Sequence, residues 1–244
     1  MSLLLILFGV FTGLTAGFFG VGGGMVLIPL LLYAGFTMKS AVAISILQMV
    51  FTSIFGSFLN YKKNKTLLND GLFIGIGGFI GGLFSGIIVS NIQGVYLSYL
   101  FVFIVLLAIY RIFRSDIKIE NIKQTHSKYL LLIIGFFIGL IAMSIGVGGS
   151  VMLTPILVSY MYYNMKDASS LGLFFVVFSS IAGFISLSLS GNMLYLEGST
   201  VGLASLVGVY FGIKFKNIIK MDSYKNMILI MYCTILLSVV FKLI

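Results

Sequence analysis

The amino-acid sequence predicts an all-α polytopic membrane protein built as two inverted repeats, each a broken-helix hairpin followed by three transmembrane helices. Hydrophobic residues fill 60% of the chain and charged residues only 9%. Apolar runs of roughly 18 or more residues recur along its whole length, the signature of a helical membrane protein. The stretch Gly13 to Pro29 returns as Gly139 to Pro155 at a constant offset of 126, pairing Gly9/Gly135, Gly13/Gly139, Gly20/Gly146, Gly22/Gly148, Gly23/Gly149 and the chain's only two prolines. Corresponding loops of the two halves carry opposite charge bias, which sets them on opposite sides of a membrane.

The first repeat covers residues 1–113 and opens with a hairpin over 3–36. Its first arm, 3–19, has no basic leader and no small-residue cleavage site, so it reads as a mature transmembrane segment and not as a signal peptide. The cluster Gly20-Val-Gly-Gly-Gly24 breaks that arm. The second arm, 24–36, is too short to cross a hydrocarbon core that needs about 20 residues, which favours re-entry over a full crossing. Helices are predicted over 40–59, 71–90 and 95–113, and the charged stretch 114–127 is a cytoplasmic linker.

The second repeat, 128–244, mirrors the first, with a hairpin over 129–162 and helices over 168–189, 198–215 and 225–243. One inserted residue moves the offset to 127, after which Met38-Lys-Ser-Ala41 matches Met165-Lys-Asp-Ala168 and Phe51-Thr-Ser-Ile54 matches Phe178-Ser-Ser-Ile181. Asp70-Gly71 with Gly75 and Gly81 likewise matches Glu197-Gly198 with Gly202 and Gly208. Equivalence over most of each half makes an internal repeat the firmest reading of the chain.

Loop charge fixes the relation between the copies. Lys62, Lys63 and Lys65 follow the first long helix of the first half, whereas the next loop, around Asn91 and Gln93, is uncharged. In the second half the loop at Ser190, Gly191 and Asn192 has no positive charge, and the next carries Lys214, Lys216, Lys220 and Lys225. With both termini outside the cell membrane, every basic loop faces the cytoplasm. The net charge of +9 is therefore accounted for by orienting charges, and no nucleic-acid partner is expected.

Consecutive glycines inside an apolar segment are costly in lipid unless the broken backbone is buried in protein or lines a wet cavity. Matched interruptions in two halves point to a transporter's substrate site. A short helix follows each cluster, and its free N–H groups and partial positive charge suit an anion. The candidate substrate-binding groups are therefore Gly22, Gly23 and Gly24 with Gly148, Gly149 and Ser150. Ser45, Gln48 and Ser170 join them as intramembrane donors, drawn from a set that also holds Thr52, Ser53, Ser57, Ser169, Ser179 and Ser180. The spaced glycines Gly9/Gly13/Gly17, Gly71/Gly75, Gly77/Gly81 and Gly135/Gly139 read as close helix packing instead.

No catalytic residue, metal ligand or cofactor is expected. Acids and histidines deep in the membrane are absent, His126 lies in the charged linker, and Cys233 is the only cysteine. Asp70 and Glu197 begin equivalent helices and read as caps, while Lys39 and Lys166 read as interfacial lysines.

The paired motif Gly13-x-x-x-Gly17-x-x-Gly20-Val-Gly-Gly-Gly24-x-x-x-x-Pro29 and its copy ending at Pro155, with the run Ala41-Val-Ala-Ile-Ser45, resemble the sulfite exporter TauE/SafE family over nearly the whole chain. The resemblance implies an inner-membrane transporter of small sulfur-containing anions such as sulfite, sulfoacetate or related organosulfur compounds. The expected partners are that anion, the lipid bilayer and, as an open alternative, a second copy of the chain in a homodimer. Ser150 departs from the first-half Gly24 and adds a hydroxyl. The leading expectation is a secondary exporter working by alternating access. An anion channel or facilitator, and a non-transporting membrane subunit, are the alternatives.

Overall fold

A computed structural model describes residues 2–61, 68–114, 127–161 and 163–243. Lys62, Lys63, Lys65, His126 and nearly all of the 114–127 linker lie outside the described residues. The described chain is helical throughout: α1 (Ser2–Phe19), α2 (Gly24–Tyr33), α3 (Met38–Tyr61), α4 (Leu68–Gly82), α5 (Ser85–Asn91), α6 (Gly94–Arg114), α7 (Lys128–Ser144), α8 (Ser150–Tyr160), α9 (Met165–Leu189), α10 (Tyr195–Ile218) and α11 (Met221–Leu243). Six stretches among the described residues, including α4 and α5 taken together, are long and apolar enough to cross a membrane. At 1.5 Å per residue α2 and α8 reach only about 15 and 16 Å, half of a hydrocarbon core of about 30 Å. Leu3, Phe113, Leu196 and Phe241 are each more than 70% exposed, a surface suited to lipid and not to water.

The helix predicted over 71–90 divides into α4 and α5 at Leu83 and Phe84. A side chain from elsewhere in the fold supports the break. Ser186 Oγ of α9 donates to the Leu83 carbonyl (2.5 Å) and accepts the Gly86 N–H (2.8 Å), while Ser85 Oγ donates to the Gly82 carbonyl (2.6 Å). The freed backbone groups thus keep partners where lipid supplies none.

The largest helix contacts recur with the halves exchanged. α1 packs on α10 and α7 on α4; α3 packs on α10 and α9 on α4; α2 packs on α3 and α8 on α9. The spaced glycines make the closest of these contacts. Gly9, Gly13 and Gly17 of α1 lie against Val201, Ser205 and Val209 of α10, and Gly77 and Gly81 of α4 against Leu132 and Phe136 of α7. Both registers rise together, so α1 runs parallel to α10 and α4 parallel to α7. Gly71 and Gly75 pack on the Phe174 and Phe178 rings, and Gly198 and Gly202 on Leu47 and Phe51. Small residues at these seams let helices approach closely where lipid offers no hydrophobic drive.

α3 and α9 cross at the centre, where Ser53 Oγ and Ser180 Oγ, 127 residues apart, lie 3.5 Å from each other. Gly56, late in α3, touches Leu173, early in α9. The face where α3 ends is therefore the face where α9 begins. Equivalent lysines mark the two faces. Lys39, at the start of α3, donates to the Ser90 carbonyl (3.1 Å), and Lys166, at the start of α9, to the Ile219 carbonyl (2.5 Å). α2 ends just before α3 begins, and α8 just before α9 begins. The α1–α2 hairpin accordingly opens on the α3-start face and the α7–α8 hairpin on the α9-start face.

Candidate functional site

Both glycine clusters are fully buried, and both turn the chain through left-handed backbone. Gly20, Gly22 and Gly23 have φ of 71°, 75° and 87°, and Gly146 and Gly148 have 67° and 75°. Side-chain-bearing residues seldom adopt these angles, which is why glycines recur here. The copies differ at the last position. Gly23 caps α2 in the left-handed region, whereas Gly149 caps α8 at φ −61°, an angle open to any residue. What Gly149 lacks is room, because a Cβ there would collide with the Phe175 ring. Equivalent glycines thus serve different ends, backbone conformation at Gly23 and space at Gly149.

The turns converge. A Cβ on Gly24 would collide with the Gly146 carbonyl and Ser45 Oγ, and one on Gly148 would lie 3.0 Å from the Val21 carbonyl and 2.8 Å from Met49 Sδ. Met49 and Val176, an equivalent pair, stand between the turns and also touch Gly22. Neither α2 nor α8 has a side-chain cap at its N-terminus.

The broken ends expose carbonyls, and buried hydroxyls take them up. Thr52 Oγ1 donates to the Gly22 carbonyl (3.0 Å), Ser45 Oγ to Gly146 (2.6 Å), Ser169 Oγ to Phe19 (2.9 Å) and Tyr224 OH to Phe18 (2.7 Å). Leaving such a group unpaired in the interior costs about 1–3 kcal/mol, so these bonds make the breaks tenable. Ser45, expected as a donor to the substrate, here gives its proton to the Gly146 carbonyl.

Three buried polar atoms around the turns have no partner: Gln48 Oε1, Ser150 Oγ and Thr154 Oγ1. The Gln48 amide donates to Thr12 Oγ1 (3.2 Å) and fills the space where a Cβ on Gly23 would stand. Ser150 and Thr154 lie one turn apart on α8, and a Cβ on Gly172 would meet both. Their first-half equivalents are Gly24 and Ile28, so the unpartnered hydroxyls belong to the second half alone. The sequence held a signal for Thr154 in the replacement of Ile28 by Thr154 within the repeat.

The structure brings together Gly22, Gly23, Gly24, Gly148, Gly149, Ser150, Ser45 and Gln48. Ser170 is not among them. It lies at the mouth of the α9-start face, donating to the Lys166 carbonyl (3.0 Å) and accepting from Lys216 Nζ (2.9 Å). Lys216 was expected in a cytoplasmic loop; α10 extends through it and buries it to 4% exposure. No group of three metal-ligating side chains occurs among the described residues. A cavity of about 420 Å³ lies away from the turns, between α6, α7 and α8, lined by Ile104, Leu131, Ile134, Met152 and Ile156.

Six long apolar stretches with two half-length helices define a multi-pass membrane protein, and the relatives below place it in the transporter class. The chain belongs to the sulfite exporter TauE/SafE family, whose sequence profile matches residues 5–239. It is similar to the probable membrane transporter protein YunE of Bacillus subtilis, with 27% identity over 86% of this chain and 85% of the relative. The probable membrane transporter protein YdhB of the same organism is 25% identical over 89% and 91%. The probable membrane transporter protein MJ0441 of Methanocaldococcus jannaschii is 31% identical over 84% and 76%. No solved structure matches the chain.

Proposed function

We propose that this chain is a secondary transporter that exports a small sulfur-containing oxyanion, sulfite or a related compound, by alternating access across the cell's inner or plasma membrane. The observation that carries the reading is the meeting of two buried, uncapped glycine turns beside the unpartnered hydroxyls of Ser150 and Thr154. Helix N-termini favour negative charge, by up to about 2 kcal/mol in partly buried geometries. The N–H groups of Gly22, Gly23, Gly24, Gly148, Gly149 and Ser150 surround the anion, and the α8 hydroxyls add donors from one side.

The repeats are inverted, with both termini outside. Support comes from the two hairpins opening on opposite faces and from Lys39 and Lys166 anchoring equivalent helix ends at opposite faces. Met49 and Val176 fill the space beside the two turns, so the anion is taken up only as one hairpin bundle shifts against the other. That arrangement favours a carrier over an open channel.

Flux of ³⁵S-sulfite in proteoliposomes tests the proposal. A carrier gives saturable flux that unlabelled sulfite or sulfoacetate competes away. Non-saturable flux returns the reading to a facilitator, and no flux with any small sulfur oxyanion removes the substrate class.

A further inference from the structure

The two mouths of the molecule are sealed by different chemistry. On the α9-start face, Lys216 Nζ donates to Ser169 Oγ (3.1 Å) and Ser170 Oγ (2.9 Å). Ser169 donates in turn to the Phe19 carbonyl, and Tyr224 OH, 3.0 Å from Ser169 Oγ, donates to Phe18. One buried polar network thus joins the ends of α1 and α10 to the starts of α9 and α11. Lys216 is the only buried charged side chain among the described residues.

The positions 127 residues earlier are Val42, Ala43, Val89 and Leu97. They belong to the opposite mouth, around the start of α3, and each is 0% exposed. Ser169, Lys216 and Tyr224 are buried like their counterparts and Ser170 is half-buried, yet every polar group is replaced by an apolar one. All four belong to the buried apolar core, so holding helix ends at these positions needs no charge. An ionisable side chain inside a membrane segment marks a substrate path by default. A buried ammonium one helix away from the Gly20 turn is a feature an anion can use and an apolar seal cannot offer.

We propose that Lys216 is the gate cation of the α9-start mouth. It closes that mouth while it holds Ser169 and Ser170, and it receives the anion when the mouth opens; the second half of this statement rests on the anion-transport reading above. Among the described residues the α3-start face buries no charged side chain, so the two sides of the membrane meet the anion with unequal affinity.

The test has one arm that needs no substrate. In a Cys233→Ser background, Leu173→Cys and Ile46→Cys place reporters at equivalent buried positions, one turn inside each mouth. Adding Lys216→Gln should raise the rate of labelling of Leu173→Cys by an impermeant maleimide about tenfold and leave Ile46→Cys unchanged, while Lys216→Arg stays near the parent rate. Unchanged labelling, or an equal rise at both reporters, would overturn the gate. In the second arm, Lys216→Gln should raise the half-saturating ³⁵S-sulfite concentration at least fivefold from the α9-start face only. An unchanged value, with the parent protein active, would overturn the anion-receiving role. Labelling that changes as expected in a protein that carries no sulfite would leave the gate standing and remove the sulfite reading instead.

Discussion

A Cβ placed on Gly23 would sit at a φ of 87° and press on the Gln48 amide, whereas one on Gly149 would have an ordinary φ and strike side chains alone, the Phe175 ring most closely and then Ile138. This difference separates the two by experiment. Gly149→Ala should lose about 2 kcal/mol through overpacking and regain most of it when combined with Phe175→Leu. Gly23→Ala should not be rescued by any single neighbour, because the backbone itself resists the substitution. Melting temperatures of these three purified variants and of the parent protein check this. Ser150 presents the opposite case. Its hydroxyl has no partner, so Ser150→Ala should leave stability unchanged or slightly raised while weakening anion affinity by about 1 kcal/mol, measured by titration calorimetry with sulfite. At this scale the glycine positions and Ser150 were legible in the sequence. The angle at Gly149 and the plug of Met49 and Val176 were not, because both depend on what α9 brings alongside.

The repeat and the hydropathy gave most helix positions to within a few residues, and the spaced glycines were legible as packing seams. Two elements escaped. The break between α4 and α5 carries no proline and depends on Ser186, about a hundred residues away, so local sequence could not reveal it. Ser186→Ala should cost about 1–3 kcal/mol, since the Leu83 carbonyl and Gly86 N–H lose their shared partner inside the membrane. Hydrogen exchange should show the added opening at α5 and not at α10. The second miss was the end of α10, expected at 215 and extending to Ile218. A lysine counted with its neighbours Lys214 and Lys220 looked interfacial, and only the packing of α9 and α11 around it reveals Lys216 as buried. Gly13→Val, against the Ser205 backbone, should impair folding far more than affinity, as a seam between α1 and α10 requires.

For the molecule as a whole, the repeat is read from matched residues and its inversion from loop charge, while α1 packs on α10 and α7 on α4. Orientation in the membrane is open to direct measurement. Single cysteines at Lys63, Asn121 and Lys220 in a Cys233→Ser protein should label only from the cytoplasm, and those at Gln93 and Asn192 only from outside. Labelling of Lys63 and Lys220 positions from opposite sides would replace inverted repeats with parallel ones. The choice of anion was not legible, because backbone N–H groups and hydroxyls recognise charge and acceptors without naming the compound. The most direct measurement of the central claim is sulfite-dependent thermal stabilisation of purified protein. A ligand at 100 times its Kd adds about 2.7 kcal/mol to a fold that binds it. Sulfite should raise the Tm of the parent protein and leave unmoved that of a Ser150→Ala/Thr154→Val double variant whose ligand-free Tm is unchanged. A double variant that keeps the full sulfite-dependent rise would place the anion away from the glycine turns and contradict the account.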